Sequence, residues 1–154
     1  MLDPDGRYAV VLFANHLPAY GRTEDGALDR PWARLHTTRD YLTMTRLVAE
    51  ADAKVVLSFS PILLQQIAET ATAEWDQAAL LTAKPASELT ADDKAYIDRV
   101  FFEASPAQID RFPRYRELAD RRAQGRSLSI SDYRDVQVLF NLAWSSPLLL
   151  DEEP

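Results

Sequence analysis

The chain has 154 residues, a net charge of −7 and no cysteine, which is length for one core that buries about two-thirds of the unfolded surface. The acidic balance (pI near 4.8) argues against nucleic acid or an anionic membrane as partner, since either needs a basic face. Without thiols there is no disulfide framework, cysteine nucleophile or cysteine-ligated metal, so a reducing, cytoplasmic setting is the expectation.

In chain order, Met1 to Gly6 is polar and holds a Pro4-Asp5-Gly6 turn, with no leader-like apolar run and nothing near the ~18 apolar residues that span a bilayer. Tyr8 to Phe13 and Lys54 to Phe59 are short, valine-rich apolar runs, the pattern of parallel strands covered on both faces. Between them Thr38 to Ala51 places Tyr41, Met44, Val48 and Ala51 on one helical face, making a β-α-β crossover. Thr37 with Asp40 three residues on reads as the capping box of that helix. The 25 residues from Ala14 to Thr38 show no period, and loops of that length inside a compact domain usually bind something or are disordered.

From Ser60 onward every long segment reads as helix. Ser60-Pro61 is a cap-and-N1 pair followed by Leu63, Leu64, Ile67, Ala68 and Ala71 at helical spacing. Trp75 to Lys84 continues to Pro85; Thr90 and Asp93 open a helix with Ile97, Val100, Phe101 and Ala104 inward. Ser105-Pro106 repeats the start, Tyr115 to Gln124 is charged on most sides and stops at Gly125, and Ser131 opens a last helix with Tyr133, Val136, Phe140 and Ala143 inward, ended by Pro147. No repeat or linker marks a second domain, so residues 1–154 read as a single domain or the N-terminal part of one. Two parallel apolar strands do not make a stable sheet, which normally has about four to six strands. The fold class read here is therefore α/β, the first β-α-β unit of an incomplete barrel followed by a largely helical segment, with unpaired sheet edges that invite self-association.

Phe13-Ala-Asn-His-Leu-Pro-Ala-Tyr20, Arg30-Pro-Trp-Ala-Arg-Leu-His36, Asp40-Tyr41 and Ser60-Pro-Ile-Leu-Leu-Gln-Gln-Ile67, followed by Phe101-Phe102, Pro113-Arg-Tyr-Arg-Glu-Leu118 and Phe140-Asn-Leu-Ala-Trp144, resemble in order and spacing the N-terminal region of glycoside hydrolase family 57. The likeness is to the amylopullulanase-like and 4-α-glucanotransferase-like branch. It implies a (β/α)7-type barrel, a retaining mechanism and an α-glucan or oligosaccharide substrate. The sequence departs from the family where the first strand usually ends in His-any-His-Gln-Pro: Ala14, Asn15, His16, Leu17 and Pro18 stand there, and Ser58 stands where the second strand commonly has asparagine. The family's glutamate nucleophile and aspartate acid lie on later strands with no counterpart in these residues.

His16 falls just past strand one, where parallel α/β folds place ligand contacts; the other reading is a histidine that pins the loop through backbone hydrogen bonds. The resemblance favours sugar contact. Trp32 and His36 share the loop, and a tryptophan face stacks on a pyranose while histidine donates to a hydroxyl; packing of Trp32 onto the core is the alternative. His16, Trp32 and His36 are thus the candidate substrate-binding residues. Glycosidic cleavage needs two carboxyl groups about 5–9.5 Å apart, and neither Glu24, Asp25 nor Asp40 sits at a matching catalytic position, so no catalytic residue is assigned. Two histidines twenty apart and four scattered glycines give no metal, nucleotide or serine-hydrolase motif and no expected cofactor. The sequence thus reads as the N-terminal portion of an α-glucan-acting hydrolase or glucanotransferase, inactive alone. The rival reading is a non-catalytic, mostly helical carbohydrate-binding or protein-interaction module derived from such an enzyme.

Overall fold

A computed structural model describes residues 10–72 and 76–146. Val11–Asn15 (β1) and Val55–Phe59 (β2) pair in parallel, with Val11 opposite Val55 and Asn15 opposite Phe59. The turn at residues 4–6 and the start of the first apolar run lie outside the described residues. Coverage on both faces, expected from the continuous apolar runs, is not found: Leu12 is 57% and Val56 49% exposed. The reason is that the sheet has two strands among the described residues, so each strand keeps an unpaired edge, and the face that α2 approaches is covered only in part, Val11 and Phe13 there being 49% and 42% exposed. Burial alternates along β2, with Val55, Leu57 and Phe59 half-buried and Val56 and Ser58 exposed. On the half-covered face Tyr41 meets Phe59 edge-on at 5.5 Å.

The crossover helix starts earlier than its sequence suggests. Trp32–His36 (α1) runs through a π-helical turn, Thr37–Tyr41, into Leu42–Glu50 (α2). There is no cap at Thr37. Its hydroxyl donates back to the Ala33 carbonyl (2.6 Å) and that of Thr38 to the carbonyls of Arg34 and Leu35 (both 3.2 Å), a competition for helix acceptors that accompanies bent or widened turns. The helix is entered from buried Pro31, whose carbonyl accepts from Leu35 N–H (2.9 Å), and burial of Ala33 and Leu35 holds this first turn against the core.

Helices Pro61–Ala71 (α3), Gln77–Ala83 (α4), Ala91–Val100 (α5), Pro106–Asp110 (α6), Pro113–Ala123 (α7) and Ile130–Ala143 (α8), with a 3-10 turn at Ala86–Glu88, make up the rest. Reciprocal capping boxes form at Thr90/Asp93, Ser105/Gln108 and Ser129/Asp132. The last of these starts α8 before Ser131, because Asp132 rather than Ser131 carries the group that closes the box. Ser60 takes the extended N-cap conformation, but its hydroxyl is buried without a partner instead of capping α3. On α3 the buried positions are Leu63 and Gln66, while Leu64 is 52% exposed, so the inward face is narrower than the apolar spacing implied. Trp75, the expected start of the next helix, lies outside the described residues; α4 begins at Gln77, with Asp76 in the extended N-cap conformation accepting from Ala79 N–H (2.8 Å). Pro147, the expected stop of α8, lies outside them too.

These helices enclose one core. Phe101 stacks on Phe140 with centroids 4.3 Å apart, among fully buried Ile97, Val100, Leu118 and Val136. Tyr115 to Gln124, charged on most sides, turns one narrow side inward, where Tyr115 and Leu118 are fully buried, the Tyr115 hydroxyl donating to the Phe101 carbonyl. Gln137 of α8 donates to the carbonyls of Leu81 and Lys84 (2.6 and 2.8 Å), closing the end of α4. Bidentate Arg34–Asp76 contacts (2.6 and 3.2 Å) tie α1 to the start of α4. No described helix is long and apolar enough to cross a membrane.

Candidate functional site

The segment after β1 has its own order. Arg22 and Leu28 form an antiparallel bridge, Gly26 N–H donates to Thr23 O and Thr23 N–H to Ala27 O (both 2.9 Å), and Gly26 takes φ +87°, a value that disfavours side chains with a Cβ. Buried Gln66 pins the segment to α3, donating to Pro18 O (3.0 Å) and accepting from Tyr20 N–H (3.1 Å). Arg22 pairs with Glu69 of the same helix at 2.7 Å. The stretch expected to lack structure is therefore a pinned hairpin followed by a helix, and its stiffness comes from α3 side chains far away in sequence.

Beside the C-terminal end of β1 lies a depression of about 420 Å³, floored by Met44, Leu47 and Val48 of α2 and Phe13 of β1, with Asn15, Arg39, Asp40 and Tyr41 at its rim. Asn15 is held by donation from its amide to the carbonyls of Phe13 and Ser58 (3.3 and 3.2 Å). Asp40 faces two cationic or polar groups, the His36 Nδ1 at 2.6 Å and Arg39 Nε at 3.8 Å. Burial, reinforced by Asp40, pushes the Tyr41 phenol above its ordinary range, and burial followed by Tyr41 does the same to Tyr20. Both phenols thus remain hydrogen-bond donors at neutral pH. An apolar floor with a few polar groups on the rim is the make-up of a small-ligand cleft.

Of the three candidate residues, His36 reaches this rim through Asp40. Because Trp32 and His36 stand on α1 rather than in a loop, one turn and the i,i+4 spacing bring His36 to Asp40. Trp32 does not line the depression; it is tilted against Trp144 at 5.5 Å, and His36 meets the same indole edge-on at 5.3 Å. Trp144 is 8% exposed, so the pair of tryptophans packs α1 onto the end of α8. His16 is exposed, does not line the depression and forms no hydrogen bond with a described residue. It follows β1 at the next even-numbered position after Leu12 and Ala14, both exposed.

Asp40, Arg39 and Tyr41 were outside the sequence-derived set. The signal for them was His36 and Asp40 four apart, legible only once the helix is extended back to Trp32. Chemically the rim offers hydrogen bonds to hydroxyls, with one carboxylate, Asp40, among the lining residues; glycosidic cleavage requires a pair. No group of three or more His, Asp or Glu side chains among the described residues is placed to hold a metal ion. No family model matches this chain, and no curated protein or solved structure does either.

Proposed function

We propose that the chain supplies the first β-α-β unit and a helical excursion of a (β/α)7-type barrel in an α-glucan-acting hydrolase or glucanotransferase, and contributes sugar contacts rather than catalytic carboxylates. The observation that carries this reading is the thin cover of the parallel pair: Leu12, Ala14, Val56 and Ser58 are exposed on one face, and on the other, which α2 approaches, Val55, Leu57 and Phe59 are half-buried while Val11 and Phe13 stay exposed. A sheet with helices on one face and side chains turned to an empty one is what a barrel wall looks like before it closes. In that reading the uncovered face is the barrel interior, His16 and Ser58 stand at its sugar-binding end, and the depression at Asn15, Asp40 and Tyr41 lies at the rim. The resemblance to family 57 in the ordered motifs from Phe13 to Trp144 supports the same assignment and supplies the substrate class.

The test has two arms. The 154-residue chain, incubated with maltooligosaccharides, is expected to show no hydrolysis or transfer, because retention of configuration requires a nucleophile and an acid held together. Turnover abolished by substitution of one carboxylate within the chain overturns that part. Calorimetric titration of a maltooligosaccharide into the protein bearing the remaining strands is expected to show binding that weakens about three- to tenfold in His16→Ala, the loss of one hydrogen bond to a neutral hydroxyl. Unchanged binding with a lowered Tm assigns His16 to structure instead.

A further inference from the structure

On the side of the helical body formed by α5, α7 and the turn into α8, a separate pocket of about 350 Å³ is lined by Lys94, Asp98, Arg122, Arg126, Ser127 and Tyr133, among others. Its construction starts at Gly125. This residue takes φ +70° and lets the chain reverse, with Gly125 N–H donating to Arg122 O (2.9 Å) and Arg126 N–H to Arg121 O (3.0 Å). The reversal carries Arg126 and Ser127 back towards α5. Basic residues near the carbonyl end of α7 complement its dipole, which accounts for their type but not for their convergence with Lys94 from another helix.

The three cations are not neutralised, and two of them are held. None of them forms an ion pair with a described residue, although Arg114 and Arg121, close by in sequence, both bind Asp132 (2.5 and 3.1 Å). Arg122 instead lies over the Phe102 ring at 5.2 Å and Lys94 over the Tyr133 ring at 5.6 Å, contacts that fix a cationic head while leaving its charge free for another partner. The pocket also holds one carboxylate. Asp98 Oδ2 accepts from the Tyr133 hydroxyl at 3.2 Å, whereas its Oδ1 is buried with no partner. Burial, then the charge of Asp98, pushes the Tyr133 phenol up to about 12, so it remains the donor. An unmatched buried acceptor is costly unless something donates to it.

From this arrangement we infer that the pocket binds a small phosphate monoester carrying hydroxyl groups, such as a sugar phosphate, with the phosphate on Lys94, Arg122 and Arg126 and a ligand hydroxyl donated to Asp98. A bare anion meets the cations but is repelled by Asp98, and a neutral sugar has no use for three positive charges; a ligand with both groups satisfies every member. The volume lies at the small end of ligand clefts, ~300–1,000 Å³. The assignment stands apart from the glucan reading, because it uses no residue of the strand-end region.

The test is titration of the full 154-residue chain at low salt with glucose 6-phosphate, inorganic phosphate and glucose. Saturable one-to-one binding is expected for glucose 6-phosphate, weaker binding for inorganic phosphate and none for glucose. In the double variant Arg122→Ser/Arg126→Ser, affinity for glucose 6-phosphate is expected to fall about tenfold or more. Asp98→Asn is expected to tighten inorganic phosphate and to shrink the preference for the sugar ester, a sign that a purely structural role for Asp98 does not produce. Melts of each variant establish that the fold is retained. Absence of saturable glucose 6-phosphate binding, equal affinity for the ester and inorganic phosphate, or an unaffected double variant overturns the inference.

Discussion

The helical body, whose helices carry one apolar stripe each, and the strand pair, whose runs are apolar nearly throughout, bury their side chains in the reverse order of their apolarity. In the body, Phe101, Ile97, Leu118, Val136 and Phe140 are fully buried, and helix ends are closed by side chains such as Gln137 and the three capping boxes. In the strand pair, Leu12 and Val56 remain about half exposed and both sheet edges lack a partner among the described residues. The difference is one of how each element is satisfied. A helix closes its own hydrogen bonds and needs one apolar stripe covered, whereas a strand needs neighbours at both edges and cover on both faces. Local helix signals were therefore enough to complete the body, and no local signal was able to complete the sheet.

The largest expected effect that sharpens this contrast is Phe140→Ala. It removes a fully buried ring stacked on Phe101 and is expected to lower unfolding free energy by about 3–5 kcal/mol, whereas Leu12→Ala, on the bare face, is expected to change it by about 0.5 kcal/mol or less. Urea denaturation of both variants checks this, and comparable losses would mean the strand face is covered in solution.

Next in size is Asp76→Ala. Asp76 is fully buried, caps α4 and holds Arg34, and removing one partner of such a pair is expected to cost about 3 kcal/mol, read from the same denaturation curves.

A smaller effect is expected on the acid side. The backbone N–H of Ser129, joined by its hydroxyl and by Arg114 and Arg121, holds the Asp132 carboxyl down at about 2 from its ordinary 3.8. With the folded value depressed, this contribution to stability is complete above pH 4 and is lost as the pH falls towards 2, on the order of 2 kcal/mol. In Asp132→Asn the fall in Tm over that window is expected to be shallower than in the parent chain; identical slopes would remove Asp132 from the account.

The smallest effect on stability is expected from Leu12→Lys/Val56→Lys, which places charges on the bare face. Light scattering is expected to show less self-association at a Tm changed only slightly. A parent chain that is already a clean monomer, binding no apolar dye, would erase the contrast between the two regions.

Much of the body was legible in sequence because its signals are local. Thr90 with Asp93 and Ser105 with Pro106 mark helix starts, although the same spacing at Thr37 and Asp40 does not, and Tyr133, Val136, Phe140 and Ala143 turn inward at helical spacing as expected. The candidate site was less legible. Trp32 and His36 were assigned to a loop because Arg30-Pro31-Trp32 breaks the apolar period, and the turn that joins His36 to Asp40 forms only where Leu35 and Ala33 bury against the body. The pinning of the segment after β1 by Gln66 and Glu69 was invisible for the same reason: those partners are more than forty residues away.

The sequence by itself determined the local order of the chain: two parallel apolar strands, a crossover helix, and a run of capped helices whose stripes specify one core. Those are properties of neighbours within a few positions, where capping groups, proline and side-chain spacing act directly on the backbone. Tertiary structure alone decided that α1 begins at Trp32, that Trp32 packs on Trp144 while His36 reaches Asp40, and that Lys94, Arg122 and Arg126 converge on Asp98. Each of these depends on contacts across long separations, whose energies appear only once the core has fixed the distances between helices.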